Sequence, residues 1–72
     1  MMLKDLKPLL DKTVTLRMTD GEVAKVRVCV VDDEYEDIIV DIVETSSPER
    51  YRAPRAVYTF AAMDIATAEL SE

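Results

Sequence analysis

Apolar and polar residues alternate at every second position over most of residues 14–43. That is the period of a strand with one buried face, not the 3.6-residue period of a helix. One phase carries Val14, Leu16 and Met18, then Ala24, Val26, Val28 and Val30, then Ile38, Val40 and Ile42. The pattern predicts a three-stranded antiparallel meander over 13–43. Thr19-Asp20-Gly21-Glu22 separates the first two runs, and Asp-Gly tolerates the positive φ angles of a tight hairpin turn. Asp32-Asp33-Glu34-Tyr35-Glu36-Asp37 separates the second and third. Its carboxylates must face water, so a solvated turn is expected there. The opposite phase is mixed: Lys25 and Arg27 mark an outer face that Cys29 and Val31 continue with apolar side chains, and Ile39 and Val43 do the same on the third run. Strands apolar on two faces are packed on both. A run as long as 23–31 in a small domain must bend strongly, which lets it serve both sides of a barrel.

The flanks complete the pattern. Met2, Leu3, Leu6, Leu9 and Leu10 fall at helical spacing opposite Lys4, Lys7 and Asp11, predicting a short amphipathic helix within residues 1–12. With Asp5 as its cap, Pro8 falls in the first turn, where a missing N–H costs nothing. So short a helix does not stand alone in water, and it is expected to lid the open end of the sheet. Residues 44–55 read as a loop, broken by Pro48 and Pro54 and kept at the surface by Arg50, Arg52 and Arg55. Residues 56–70 read as closing strands: Ala56 to Phe60 with Tyr58 and Phe60 on one face, a single helical turn over 61–64, and Ile65 to Leu70. The expected fold is mainly β, a short N-terminal helix followed by a five-stranded, strongly bent antiparallel barrel of SH3-like or Sm-like type, in one domain over 1–72.

Composition narrows the function. A chain of 72 residues has no room for a second module. At that size only roughly 60% of the unfolded surface is buried, which favours stabilisation by assembly. The net charge of −6 is uneven, because residues 32–44 hold carboxylates and no cation, while the 45–55 loop is basic. A net acidic surface repels phosphate backbones at long range, so a nucleic-acid site is confined to a local basic patch. Cys29 is the single cysteine, which excludes a disulfide framework or a cysteine-based zinc site within one chain and suits a reducing cytoplasm. Lys4, Asp5, Lys7 and Pro8 interrupt the N-terminal leucines, so neither a signal peptide nor a membrane span is expected. With no histidine, no glycine-rich phosphate loop and no partner to activate Cys29, the chain is expected to be a non-enzyme without a cofactor.

Leu9-Leu10-Asp11-Lys12-Thr13-Val14-Thr15-Leu16-Arg17-Met18-Thr19-Asp20-Gly21, followed by Val31-Asp32-Asp33-Glu34-Tyr35-Glu36-Asp37-Ile38-Ile39-Val40, resembles the first motif of the Sm and Lsm family. The order of helix, strand, long bent strand, acidic turn, third strand and two short closing strands is similar to that family over nearly the whole chain. The resemblance implies a small open barrel that pairs edge strands into a homo-oligomer such as a ring, with RNA at the inner rim. Where the family turn offers an Asp and, four residues later, a base-reading Asn, this chain has Asp33 and Asp37, and a carboxylate cannot donate as an amide does. Where the family has an Arg-Gly pair near the last strand, this chain has Ala61-Ala62. The implied RNA association is therefore weak or atypical. Its candidate contacts are Asp33, Tyr35 as a base-stacking platform, Asp37, and the cations Arg50, Arg52 and Arg55.

Candidate oligomer contacts are Tyr58, Phe60 and Ile65. Oxygens at Asp33 and Asp37 suit a hard cation, but the turn lacks the glycine and flanking helices of an EF-hand loop, so no metal is expected. SH3-like barrels, including the C-terminal domain of bacterial ribosome-maturation factors, share these short-strand patterns. The alternative function is therefore an SH3-like adaptor, monomeric or dimeric, that binds a protein partner through its acidic turn or arginine loop and has no nucleic-acid role.

Overall fold

A computed structural model describes residues 1–51 and 57–71. Helix α1 (Leu3–Leu6) runs into a 3-10 turn at Lys7–Leu9. Strands β1 (Thr13–Met18), β2 (Val23–Asp32) and β3 (Asp37–Thr45) form the meander. A 3-10 turn at Pro48–Arg50 follows, then β4 (Val57–Ala61), a 3-10 turn at Ala62–Asp64, and β5 (Ile65–Leu70). All five strands belong to one antiparallel sheet in the order β4-β3-β2-β1-β5. The fold is thus mainly β with a short N-terminal helix. The molecule measures 29 × 25 × 22 Å, nearly equal in three directions. A single flat sheet is only about 10 Å through with its side chains, so this one is wrapped around its own core.

The core is the predicted phase of the meander together with both flanks. Val14, Leu16, Ala24, Val26, Val28, Ile38 and Val40 are fully buried with Leu6 of α1 and Ile65 of β5. Leu3 and Leu9 pack against this cluster from the helical segment, which closes the core as a lid. The helix nevertheless starts earlier than its polar residues suggested. Asp5 is not its cap, because Met2 holds that position and the Asp5 N–H already donates to the Met2 carbonyl. Pro8 falls instead in the 3-10 turn, where it sacrifices no helical bond.

The β1–β2 hairpin closes as Asp-Gly requires. Gly21 sits at φ 97° and its N–H donates to the Met18 carbonyl, while the Met18 N–H donates to the Glu22 carbonyl. Asp20 supports the turn by accepting from the Glu22 N–H through Oδ1 at 3.0 Å.

The strands are not regular, and the irregularities decide which side chains face inward. Val28 pairs with Val40 but Val30 pairs with Ile39, so Cys29 is an extra residue in β2. Such a bulge bends its strand and breaks the alternation of faces. Val30, expected on the inner phase, is 44% exposed, and Val31, expected outside, packs against the core. A second irregularity spans Lys25/Val26, where Val43 of β3 is passed over, and a third lies between Arg17 and Met18, where Ala66 of β5 is passed over. β3 also continues through Glu44 and Thr45, two residues that the sequence pattern assigned to the following loop.

Among the described residues no helix is long and apolar enough to cross a membrane.

The bulge makes neighbouring valines unequal. Val31→Ser should cost about 1–2 kcal/mol and Val30→Ser no more than about 0.5 kcal/mol, measured by urea unfolding. The reverse order would show that β2 runs without the bulge. Gly21→Ala should cost about 1 kcal/mol in the same assay, through φ alone, since an added Cβ meets nothing within 4 Å.

Candidate functional site

The β2–β3 turn is built by its first carboxylate. Asp32 Oδ1 accepts from the Glu34 N–H at 2.8 Å and from the Tyr35 N–H at 3.3 Å, and Asp32 pairs with Asp37 where the strands meet. Glu36 closes the turn at φ 52°, in the left-handed region that side chains enter at a cost of about 1 kcal/mol. Asp33, Glu34, Tyr35 and Glu36 all point into solvent, as the density of carboxylates demanded. Lys7, at the end of the helical segment, answers Asp33 with an ion pair of 2.7 Å. With both side chains more than half exposed, that pair contributes little to stability.

The turn does not stand alone. The Ala62 N–H donates to the Glu36 carbonyl at 2.9 Å, and Asp37 pairs with Ala61 at the end of β4. The acidic turn and the Ala61-Ala62 corner, which stands where the Sm and Lsm family has an Arg-Gly pair, are therefore adjacent in space. Between them lies an open hollow of about 260 Å³ lined by Met1, Met2, Leu3, Tyr35, Glu36, Ala61, Ala62 and Met63. Among the described residues no side chain lining it is cationic, and the Met1 ammonium donates to the Ala62 and Ile65 carbonyls. Its surface is methionine, aromatic ring and backbone, edged by carboxylates.

The arginine loop leaves β3 at the other end. Asp37 opens the strand and Thr45 closes it, so the turn and the described start of the loop, residues 46–51, are separated by its full length. Tyr51, next to Arg50 in the chain, turns toward the β1–β2 hairpin, where its hydroxyl donates to Glu22 Oε2 at 2.7 Å. The acidic and basic candidates are thus not gathered around one point by the described residues. Arg52 and Arg55, the side chain of Arg50, and the expected strand start at Ala56 lie outside the described residues.

Tyr58 and Phe60 occupy the inward phase of β4, half-buried against the core. Tyr51 meets both edge to face, with ring centroids 4.7 Å and 6.3 Å apart. Ile65 is fully buried in the chain's own core. It therefore offers no surface to a neighbouring subunit, which corrects its assignment as an oligomer contact. Alternation in a five- or six-residue strand does not say whether the inner face is covered by the same chain or by another.

Glu22 escaped the sequence pattern altogether. It follows Gly21 in a turn, where a carboxylate ordinarily faces water, yet it is 5% exposed. Its Oε2 accepts from Thr45 Oγ1 at 2.6 Å as well as from Tyr51. Those partners lie 23 and 29 residues along the chain, too far for any local spacing to reveal. The contacts fasten the start of the loop to the hairpin, assisted by Ser46, whose N–H donates to the Val23 carbonyl and whose hydroxyl accepts from the Val23 N–H. A second hollow of about 280 Å³ opens beside Glu22, bordered by Asp20, Asp64, Tyr51 and Phe60. Among the described residues no three carboxylates or thiols converge closely enough to hold a metal ion. Cys29 is half-buried, with its thiol directed at the Arg27 carbonyl.

No protein-family model matches the chain, and a search of curated proteins finds no match either.

Removing the Glu22 carboxylate leaves two hydroxyls without their acceptor in a mostly buried place. Glu22→Ala should destabilise the fold by about 1–3 kcal/mol in urea unfolding, while Glu22→Gln, which keeps one acceptor oxygen, should cost less. Equal losses in both would mean that the charge, not the hydrogen bonding, holds the loop.

Proposed function

We propose that this chain is a non-enzymatic, Sm-like assembly module that forms a homo-oligomer by pairing β4 of one copy with β5 of the next. The observation that carries this reading is the state of the two sheet edges. Among the described residues the order β4-β3-β2-β1-β5 leaves β4 and β5 each with a row of backbone groups that face no further strand. Each edge also exposes a large apolar side chain. Val57 on β4 is 60% exposed. Leu70 on β5 lies opposite the buried Val14, on the inward side of the sheet, yet is 61% exposed because none of the described residues forms a strand beyond it. An edge that is hydrogen-bonding and apolar at once is an aggregation hazard unless something pairs with it, and an antiparallel partner strand satisfies both needs. A contact of this head-to-tail kind closes into a ring when its rotation allows.

RNA association is secondary in this reading. The acidic turn and the Ala61-Ala62 corner meet, which favours a shared site, and Tyr35 offers a stacking surface. The carboxylates around them oppose phosphate, and the arginines of the loop are the available counterweight.

Light scattering during gel filtration, with absorbance read at two ultraviolet wavelengths, tests the proposal. A single chain weighs 8.1 kDa, and the expected mass is several times that. Val57→Asp or Leu70→Asp should shift the mass to that of one chain while leaving the circular dichroism unchanged, since both side chains are exposed in the monomer. Phe60 is the poorer probe because it also packs on the core. A wild-type monomer without nucleic acid would overturn assembly and leave the adaptor reading. Absorbance in excess of three tyrosines and no tryptophan would reveal bound RNA, and Arg52→Glu should then weaken binding and flatten its salt dependence.

A further inference from the structure

The hollow between the acidic turn and the β4–β5 corner, where an RNA base stacked on Tyr35 would also fall, has a chemistry that suits a different ligand better. Met63 is 81% exposed, Tyr35 71% and Met2 63%, so three large apolar side chains stand around one depression on a small surface. Scattered apolar side chains are ordinary on a surface, but a contiguous group around a concavity marks a contact site. Methionine suits such a place because its unbranched, polarizable chain moulds itself to a partner's shape.

The charges around the depression identify the partner's chemistry. Glu36 lines it, and Asp33 and Glu34 stand exposed on the same turn. Lys7 meets Asp33 in an exposed ion pair, weak enough for a partner's cation to replace it. Among the described residues no cationic side chain lines the hollow, and the Met1 ammonium on its wall is taken up by the Ala62 and Ile65 carbonyls. The exposed carboxylates of the turn outnumber that one ammonium, so an anionic ligand is disfavoured here, and an uncharged apolar one leaves the carboxylates unanswered. A segment with an apolar face for the methionines and basic residues for the rim satisfies both.

We infer that this hollow docks a basic amphipathic segment of a partner protein, with the segment's apolar side chains seated between Met2, Tyr35 and Met63 and its lysines or arginines facing Asp33, Glu34 and Glu36. This goes beyond assembly through the sheet edges and does not require it, because the apolar contacts lie on the turn, the helix start and the β4–β5 corner.

The test uses the full chain and two labelled synthetic peptides of identical charge, one with leucines on one helical face and lysines on the other, the second with serines in place of the leucines. Fluorescence anisotropy should show the amphipathic peptide binding at least about tenfold more tightly than the serine peptide. Met63→Ser should remove most of that advantage, as should Tyr35→Ala, and because both residues are exposed the fold should be retained, which circular dichroism checks directly. Replacing Asp33, Glu34 and Glu36 together by their amides should weaken both peptides and flatten the salt dependence. Equal binding of the two peptides would overturn the proposal, since charge alone would then explain it. So would an amphipathic advantage indifferent to Met63 and Tyr35, or a single-stranded oligonucleotide that binds the wild type and competes at these same residues.

Discussion

Everything in this fold depends on β2 being shared. It is the longest strand, it pairs with β1 along one edge and β3 along the other, and it must turn the sheet back on itself to enclose a core. A chain of this size cannot cover a flat sheet with a second layer, so curvature takes the place of that layer. The bulge at Cys29 is where the curvature becomes local. One extra residue lets Val28 finish the inner face of the first half while Val31 begins that of the second. The link from the helical segment to β1 fits the same bend, since the Val28 N–H donates to the Lys12 carbonyl and the Asp11 N–H to the Val28 carbonyl. Asp11 reaches that position at φ 65°, a conformation that short polar side chains tolerate better than most.

That dependence also explains what could be read from the residues alone. Val14, Leu16, Val26, Val28, Ile38 and Val40 announced their burial because each strand alternates cleanly between its ends and the first irregularity. The Asp-Gly turn was equally legible, since few dipeptides accept its geometry. Val30 and Val31 were not. A period-two pattern through two adjacent valines fits either phase, and nothing within β2 states that Cys29 is passed over. The bulge is a property of the pair, fixed by where Ile38, Ile39 and Val40 lie on the opposing strand. The same limit hid Glu22, whose burial depends on Thr45 and Tyr51 arriving from the far side of β3. The candidate site divides along this line. The exposure of Tyr35 and its neighbouring carboxylates followed from local charge density, whereas the closeness of Glu36 to Ala62 needed the closing strands to be placed.

Burial of Ile65 beside exposure of Leu70 separates the two roles of β5. Its start contributes to the core and meets Met18 across the sheet, while its end runs past the region the chain can cover. β4 mirrors this arrangement. Tyr58 and Phe60 are committed inward with Tyr51, and Val57 faces away from them at the strand's beginning. Each closing strand is thus anchored by one set of residues and leaves another uncovered. An edge meant only to end a sheet gains nothing from a large aliphatic side chain, and a charge there would guard against unwanted pairing. Glu69 is the charged residue on the described part of the two edges, and it lies next to Leu70 rather than in its place.

Charge distribution bears on how edges and hollow can be used together. The acids are concentrated where β2 and β3 meet, a turn whose backbone is held by Asp32 and by the Ala62 N–H rather than by any cation. Such a turn keeps its shape without a bound ion and keeps its outward carboxylates available. In any assembly built by repeating one edge contact, every copy presents this same acidic, methionine-lined face in a symmetric array. Like charges brought to a common face repel one another, a cost that grows as salt is lowered and that a polybasic ligand reverses. Edge pairing and basic-segment binding would then be linked, because a cation-bearing partner that spans neighbouring copies favours the assembled state over the separated one by mass action.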